Sequence, residues 1–464
     1  MVVVLLAAAG YLVHTRAPRS ADTAQFGRVR IYPSWLTQKG FIYLFSGAHG
    51  WSEAEEETAR DFARDGQLVI GIDTPQFTLW AARRPLAECL YMPGLLEDYS
   101  RVLQRATDNA QYLAPALLGA GPGATLVYMA QLQAPPVAFS AAVMIDPQEQ
   151  IAVARPFCDH PENHSGEHEG EQATLRPEKL GTEVPARLLL DASATAGERE
   201  FAMAIPGAVP TTLAASATAV VDGATLHDIY RSALDAIAVE RSQNGVGDLP
   251  LAIVESSATQ RGALPGSGAG PERNAFAIIY SGDGGWRDLD RSLAGILASK
   301  GMNVVGVDVL RYYWKQKSPT LAASDLARIM RYYQQRWHQQ KVVLIGFSFG
   351  ADVLPFLVSR LPADLAADVS LVSLLSPERS TAFEVETTGW LGVHNSSGMP
   401  IAPELQKLSK FHLQCIYGTD EGANSLCTTP TAAAVGASVL AKSGGHHFDQ
   451  DYGTLADQIL AAVP

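Results

Sequence analysis

The sequence predicts an α/β fold built twice in tandem, each copy a mostly parallel sheet with helices on both faces. Three observations carry that prediction. Phe41–Trp51 (FIYLFSGAHGW) recurs as Phe276–Trp286 (FAIIYSGDGGW), and Leu117–Ala124 (LLGAGPGA) recurs as Leu344–Ala351 (LIGFSFGA). Between these anchors, short apolar runs and amphipathic helical patterns follow the same order in both halves. The apolar runs are continuous rather than alternating, as strands covered on both faces require.

Bulk properties agree. A chain of 464 residues is too long for one ordinary core. Its 47% hydrophobic content and 18% charged residues fit a globular protein rather than a disordered or membrane-spanning one. With Lys+Arg 35 against Asp+Glu 48, the formal charge is −13. A field of that sign opposes direct binding to nucleic acid or to an anionic membrane surface.

Taken in chain order, residues 1–25 form a signal or anchor segment. The apolar run Val2–Val13 is shorter than the roughly 20 residues that span a bilayer and reads as the core of an export signal. Cleavage and retention both stay open. The first copy occupies 26–254, with a strand ending at Asp73 and a helical pattern through LLEDYSRVLQRATDNAQ. Residues 255–274, rich in Gly, Ser, Ala and Pro without apolar periodicity, read as a flexible linker. The second copy occupies 275–464. Strands are expected at 276–280, 303–307, 342–345, 370–374, 412–417 and 437–440. Helices are expected near 290–299, 322–336, 351–361 and 455–462.

The sharpest local signal is Gly346-Phe347-Ser348-Phe349-Gly350, directly after the strand KVVLI and before an Ala-rich helix. This is the G-x-S-x-G nucleophile elbow in its proper context, and it makes the fold of the α/β-hydrolase type. The flanking glycines permit the tight turn, and Ser348 projects at a helix N-terminus, where the dipole favours developing negative charge. A serine needs a base and an orienting acid, and this fold supplies them later in the chain. Gly418-Thr419-Asp420 offers Asp420 as the acid, with Glu421 the neighbouring alternative. Ser443–Phe448 (SGGHHF) offers two histidines, His447 preferred as base over His446. The oxyanion donors expected are the N–H groups of Phe349 and of Asp283 in the loop Ser281–Trp286. That loop lacks the endings of nucleotide-binding glycine motifs.

The first copy has lost these groups. Gly121 stands where Ser348 stands, and aligning His227–Tyr230 with Asp449–Tyr452 sets Ala224 and Thr225 opposite the histidines. Asp191 lies near the acid position, and His49 reads as structural. Of the four cysteines, Cys415 and Cys427 flank a turn-rich stretch suited to a disulfide, which leaves Cys89 and Cys158 as the second pair. The stretch His160-Pro-Glu-Asn-His164-Ser-Gly-Glu-His168 reads as a solvated loop. With no CxxC or HExxH, neither a metal nor a cofactor is expected.

The tandem arrangement, the SGDGGW loop, GFSFG and the GGHHFDQDY ending together resemble the AcvB/VirJ family of bacterial virulence-associated periplasmic proteins. The long AcvB-like form corresponds to nearly the whole chain and the short VirJ form to the second copy. The resemblance implies an exported, periplasmic hydrolase that cleaves the aminoacyl ester of lysyl- or alanyl-phosphatidylglycerol at the membrane surface. It also implies a link to type IV secretion, so an accessory role beside secretion-system proteins is the alternative, as is a general envelope carboxylesterase or thioesterase. An aminoacyl ester carries an ammonium group next to the scissile carbonyl. Asp283 and Asp352 are the candidate partners for it, and Trp286 and Tyr313, with Tyr312 and Trp314, are candidate pocket walls. The aperiodic stretch after Ser376 is a candidate lid.

Overall fold

The computed structural model describes residues 17–464 apart from 25, 84–88, 108, 110, 135–136, 159–166, 170–171, 176, 178–183, 207, 214–222, 243–244, 257–273 and 386–397. The apolar run Val2–Val13, the first part of the His160–His168 segment and most of the candidate lid lie outside the described residues. The chain divides into two compact units, Met1–Arg241 and Ser242–Pro464.

The first unit is built on an eight-stranded sheet. Its strands are β1 (Arg19–Thr23), β2 (Gly27–Tyr32), β3 (Gly40–Phe45), β4 (Gln67–Ile72), β5 (Ala116–Ala120), β6 (Ala141–Ile145), β7 (Ala186–Leu190) and β8 (Thr211–Thr212). The order is β1-β2-β4-β3-β5-β6-β7-β8, antiparallel in the β1–β2 and β2–β4 pairs and parallel elsewhere. Successive residues of a strand face opposite sides. Phe41, Tyr43 and Phe45 accordingly enter the core on one face, and Ile42 and Leu44 enter the core on the other. This double burial explains the unbroken apolar runs.

The second unit carries a seven-stranded sheet. Its strands are β9 (Leu251–Val254), β10 (Ala275–Tyr280), β11 (Val304–Val307), β12 (Lys341–Phe347), β13 (Val369–Leu375), β14 (Leu413–Gly418) and β15 (Ser438–Lys442). The order is β9-β11-β10-β12-β13-β14-β15, with only the β9–β11 pair antiparallel. The helices Asp288–Ser299, Pro319–Trp337, Phe349–Val358 and Tyr452–Ala461 fall where the periodicity predicts them.

One boundary differs from expectation. The sequence places residues up to 254 in the first copy, yet Leu251–Val254 completes the second sheet, pairing with Val304–Val307. Its flanks are tied to the same unit. Arg328 donates to Asp248 and to the Gly245 carbonyl, Trp337 Nε1 donates to Glu255, and the Asn303 side chain accepts from Ser256 N–H. The strand β2 plays the matching antiparallel role in the first unit. The Gly/Ser/Ala/Pro stretch therefore joins the first two strands of the second domain instead of joining the domains. A four-residue strand without a duplicated motif left no periodic signal to mark it.

Both expected disulfides are present, Cys89–Cys158 and Cys415–Cys427, which fits an oxidising environment. Among the described residues, no helix is long and apolar enough to cross a membrane.

Candidate active site

The elbow at Ser348 follows from close packing. A Cβ on Gly346 would sit 2.5 Å from the Gly350 carbonyl oxygen, and one on Gly350 would sit 2.1 Å from that of Tyr280. Only glycine allows β12 and the following helix to approach so closely. Ser348 between them takes φ 53° and ψ −123°, a strained conformation for a residue with a side chain. Its N–H donates to Leu375 O and its carbonyl accepts from Asp352 N–H. The strain is thus held by β13 on one side and by the first helical turn on the other.

The loop after β10 passes against this serine. A Cβ on Gly282 would come 3.6 Å from Ser348 Cβ and 3.3 Å from the Phe347 ring. The loop is fixed from below. Asp308 accepts from Trp286 N–H and Arg311 N–H, and Ser281 Oγ accepts from Val309 N–H at 3.0 Å. A Gly285 N–H to Gly282 O bond of 3.1 Å closes the turn that contains Asp283. Phe349, the first residue of its helix, offers an N–H with no partner in the preceding turn. Backbone donors of this kind, at a helix N-terminus and in a rigid turn, are what an oxyanion needs.

The imidazole and carboxylate brought together beside the elbow are those of His446 and Glu421, the alternatives to His447 and Asp420. His446 Nδ1 lies 2.7 Å from Glu421 Oε1. The other carboxylate oxygen, Oε2, accepts from Gly418 N–H at 2.8 Å and from Ser376 Oγ at 2.9 Å. Asp420, the expected acid, is exposed, and its backbone N–H is used by Gly444 O. Gly418 sits at the end of β14, and the chain turns there into a 3₁₀ helix. The third residue of that helix folds its side chain back onto Gly418 N–H, which turns Glu421 inward and leaves Asp420 facing solvent. The loop carrying Glu421 is closed by the Cys415–Cys427 disulfide. Burial, the largest influence, pushes the Glu421 carboxyl up. The hydrogen bonds from His446, Gly418 and Ser376 outweigh it and hold the group below the usual glutamate range.

His447, the expected base, is exposed, with its ring centroid 5.4 Å from that of Phe347. His446 packs on the same ring at 5.1 Å. Phe347 therefore lies between the Gly282 loop and His446, immediately beside Ser348. The histidine loop is pinned at its ends, where buried Lys442 Nζ donates to Asp451 at 2.6 Å. Ionised Glu421 can only accept, so Nδ1 of His446 carries the proton and Nε2 is the free base.

Of the candidate substrate contacts, Asp283 is half-buried at the elbow. Trp286 and Tyr313 belong to the core instead, at 1% and 0% exposure. The Trp286 ring covers Gly306 in β11, and Tyr313 is enclosed by Tyr312, Phe349 and Phe383. Trp314 is buried as well. Their aromatic character reflects packing. Asp352 is also buried and accepts from Glu378 N–H at 2.7 Å. Burial, together with the charges of Glu378, Asp283 and Glu421, raises its pKa well above the carboxylate range, against the pull of that hydrogen bond.

The first unit preserves the scaffold without the chemistry. Gly121 has φ 51° and ψ −125°, nearly the angles of Ser348. A Cβ on Gly119 would strike Gly123 O at 2.5 Å, and Trp51 covers Gly71 as Trp286 covers Gly306. Yet the residue after the elbow is Pro122, which has no N–H to offer an oxyanion. Thr225 lies within the helix Gly223–Ser242, where the second unit has its histidine loop. His49 is exposed, and Asp191 is buried, its N–H donating to Asp146.

Sequence reasoning missed Ser376 and Pro122. Pro122 was readable, because the alignment that set Gly121 opposite Ser348 also sets Pro122 opposite Phe349. For Ser376 the sequence held no signal, since only tertiary packing brings the end of β13 to the loop after β14.

Residues 274–464 match the family described as bacterial virulence protein (VirJ). No curated protein matches the chain. Among solved structures, the chain is similar to a lipase-esterase related protein from Clostridium acetobutylicum, at 12% identity and TM-score 0.33, covering 46% of this chain and 99% of that one. It is also similar to Est1E from Butyrivibrio proteoclasticus, at 10% identity and TM-score 0.31, covering 42% and 88%. A third is an α/β serine hydrolase without lid from Xanthomonas campestris, at 14% identity and TM-score 0.30, covering 46% and 87%.

Proposed function

We propose that this chain, whose C-terminal domain belongs to the VirJ family of bacterial virulence proteins, is a serine esterase working through Ser348, His446 and Glu421. The observation that carries the reading is the 2.7 Å contact between His446 Nδ1 and Glu421 Oε1, on the Phe347 platform beside the Ser348 elbow. His446 Nε2 takes the Ser348 proton as Oγ attacks the ester carbonyl. The charge gathering on the carbonyl oxygen meets the N–H groups of Phe349 and Asp283. Glu421 stabilises the imidazolium, which then protonates the departing alcohol. Water, activated by His446 in the same way, releases the acid and regenerates the serine.

The substrate class we propose, supported by the family resemblance, is the aminoacyl ester of a phosphatidylglycerol, cleaved by an exported, periplasmic enzyme. An aminoacyl ester places an ammonium group one carbon from the reacting carbonyl. Asp283, half-buried in the loop beside Ser348, is the candidate partner for it, and its charge and that of Glu378 act on buried Asp352. A cation beside Asp352 would offset the cost of ionising it in its buried setting. The test is lipid analysis of cells producing the wild type or Ser348→Ala. Aminoacyl-phosphatidylglycerol depleted only by the wild type supports the reading. If simple esters are turned over while that lipid is untouched, the substrate class is wrong, and if the two proteins behave alike, catalysis is wrong.

A further inference from the structure

Ser376 directly follows β13, in a place that the proposed chemistry does not by itself require to be polar. It is 1% exposed and adopts φ 49°, a conformation that a non-glycine residue rarely takes. Its N–H donates to Ile416 O at 2.8 Å, so β14 holds the residue in that conformation. The hydroxyl then points at the acid–base pair, with Oγ 2.9 Å from Glu421 Oε2 and 3.4 Å from the His446 carbonyl. The first unit repeats the geometry with another side chain. Asp146 directly follows β6 with φ 50°, its N–H donates to Leu189 O, and its carboxylate accepts from Asp191 N–H at 2.8 Å. The fold therefore accepts a carboxylate at this position.

We propose that Ser376 is a positioning residue that locks Glu421, and that its site is a second place from which a carboxylate can orient His446. The proposal rests on the esterase reading for its kinetic consequences only. Glu421 Oε2 receives two donors, Gly418 N–H and Ser376 Oγ. Two bonds in different directions fix the carboxylate plane, and with it the direction from which Oε1 meets Nδ1. With Ser376 gone, Glu421 keeps Gly418 as its one anchor on that side and swings about it.

The test combines a spectroscopic reading of the pair with kinetics, in the full-length protein. The low-field imidazole proton of His446 is assigned by its loss in His446→Gln and followed by NMR. In Ser376→Ala it broadens or moves upfield. Ester hydrolysis falls roughly tenfold in kcat with KM little changed. Ser376→Asp in a Glu421→Gln background restores the signal and raises kcat at least tenfold over Glu421→Gln alone. An unchanged imidazole signal in Ser376→Ala, or a Ser376→Asp/Glu421→Gln protein no better than Glu421→Gln, overturns the proposal. Failure of the esterase reading shows separately, as hydrolysis that survives Ser348→Ala while the NMR results still stand or fall by themselves.

Discussion

Replacing Glu421 by Gln separates the two neighbouring acids and has a consequence that the hydrogen-bond pattern dictates. Glu421 Oε2 accepts from two donors, Gly418 N–H and Ser376 Oγ, while Oε1 faces His446 Nδ1. A glutamine has one oxygen and one NH₂. To keep both donors satisfied, its oxygen must take the Oε2 place, which turns the NH₂ toward Nδ1. His446 must then accept through Nδ1 and carry its proton on Nε2, the tautomer that cannot deprotonate Ser348. Where a triad acid is replaced by its amide and the wrong tautomer results, the loss is about 10⁴-fold, or roughly 5.5 kcal/mol of transition-state stabilisation. The expected fall in kcat/KM on a soluble aryl ester is therefore ~10³- to 10⁴-fold. Asp420→Asn, at an exposed side chain, leaves activity within about twofold. Thermal melts of both variants confirm that the fold is retained. Collapse of activity in Asp420→Asn with Glu421→Gln near wild type would refute the assignment.

Other consequences are open to direct measurement. Gly121→Ser places a hydroxyl on an intact elbow, but Pro122 supplies no oxyanion donor; no hydrolysis should appear when it is introduced into Ser348→Ala, and measurable turnover there would contradict the account. Asp352 has a raised pKa in the fold, so the native state holds a proton that the unfolded chain has released, and stability is lost as pH rises above the ordinary aspartate range. Asp352→Asn keeps an acceptor for Glu378 N–H and removes that loss, so its Tm advantage over wild type should widen with pH, with a slope of up to about 1.4 kcal/mol per pH unit; parallel Tm curves would contradict this. A fragment of residues 242–464 should melt cooperatively, whereas 274–464, with the edge of β11 uncovered, should melt lower or aggregate. Equal stability of the two fragments would show that Leu251–Val254 is dispensable.

The duplicated motifs made the architecture legible, because continuous apolar strands and glycine spacing encode local geometry. The elbow was legible for the same reason. Gly346 and Gly350 are demanded by contacts within a few residues of Ser348 or with β10, and both copies keep them. Choosing between Asp420 and Glu421, or between His446 and His447, was beyond sequence spacing. Adjacent residues differ only in which way their side chains leave the turn, and that direction is set by the local bond to Gly418 together with contacts to Ser376 and Phe347 from distant parts of the chain. The aromatic residues misled for a related reason. Trp286 sits in a glycine-rich loop that reads as a surface feature, yet its ring is received by Gly306, a strand residue with no side chain of its own. The strand Leu251–Val254 carries no signal of its domain in the sequence, because it is short and precedes a stretch with the composition of a linker.

The central claim is that one serine in the chain is an activated nucleophile. Treatment of the full-length protein with a fluorophosphonate, followed by intact mass and peptide mapping, tests it without knowledge of the substrate. A single adduct on Ser348, absent in Ser348→Ala and slowed in His446→Gln and Glu421→Gln, is the predicted result. An unmodified Ser348 under conditions that label a known serine esterase, or an equal adduct in the His446 variant, would contradict it.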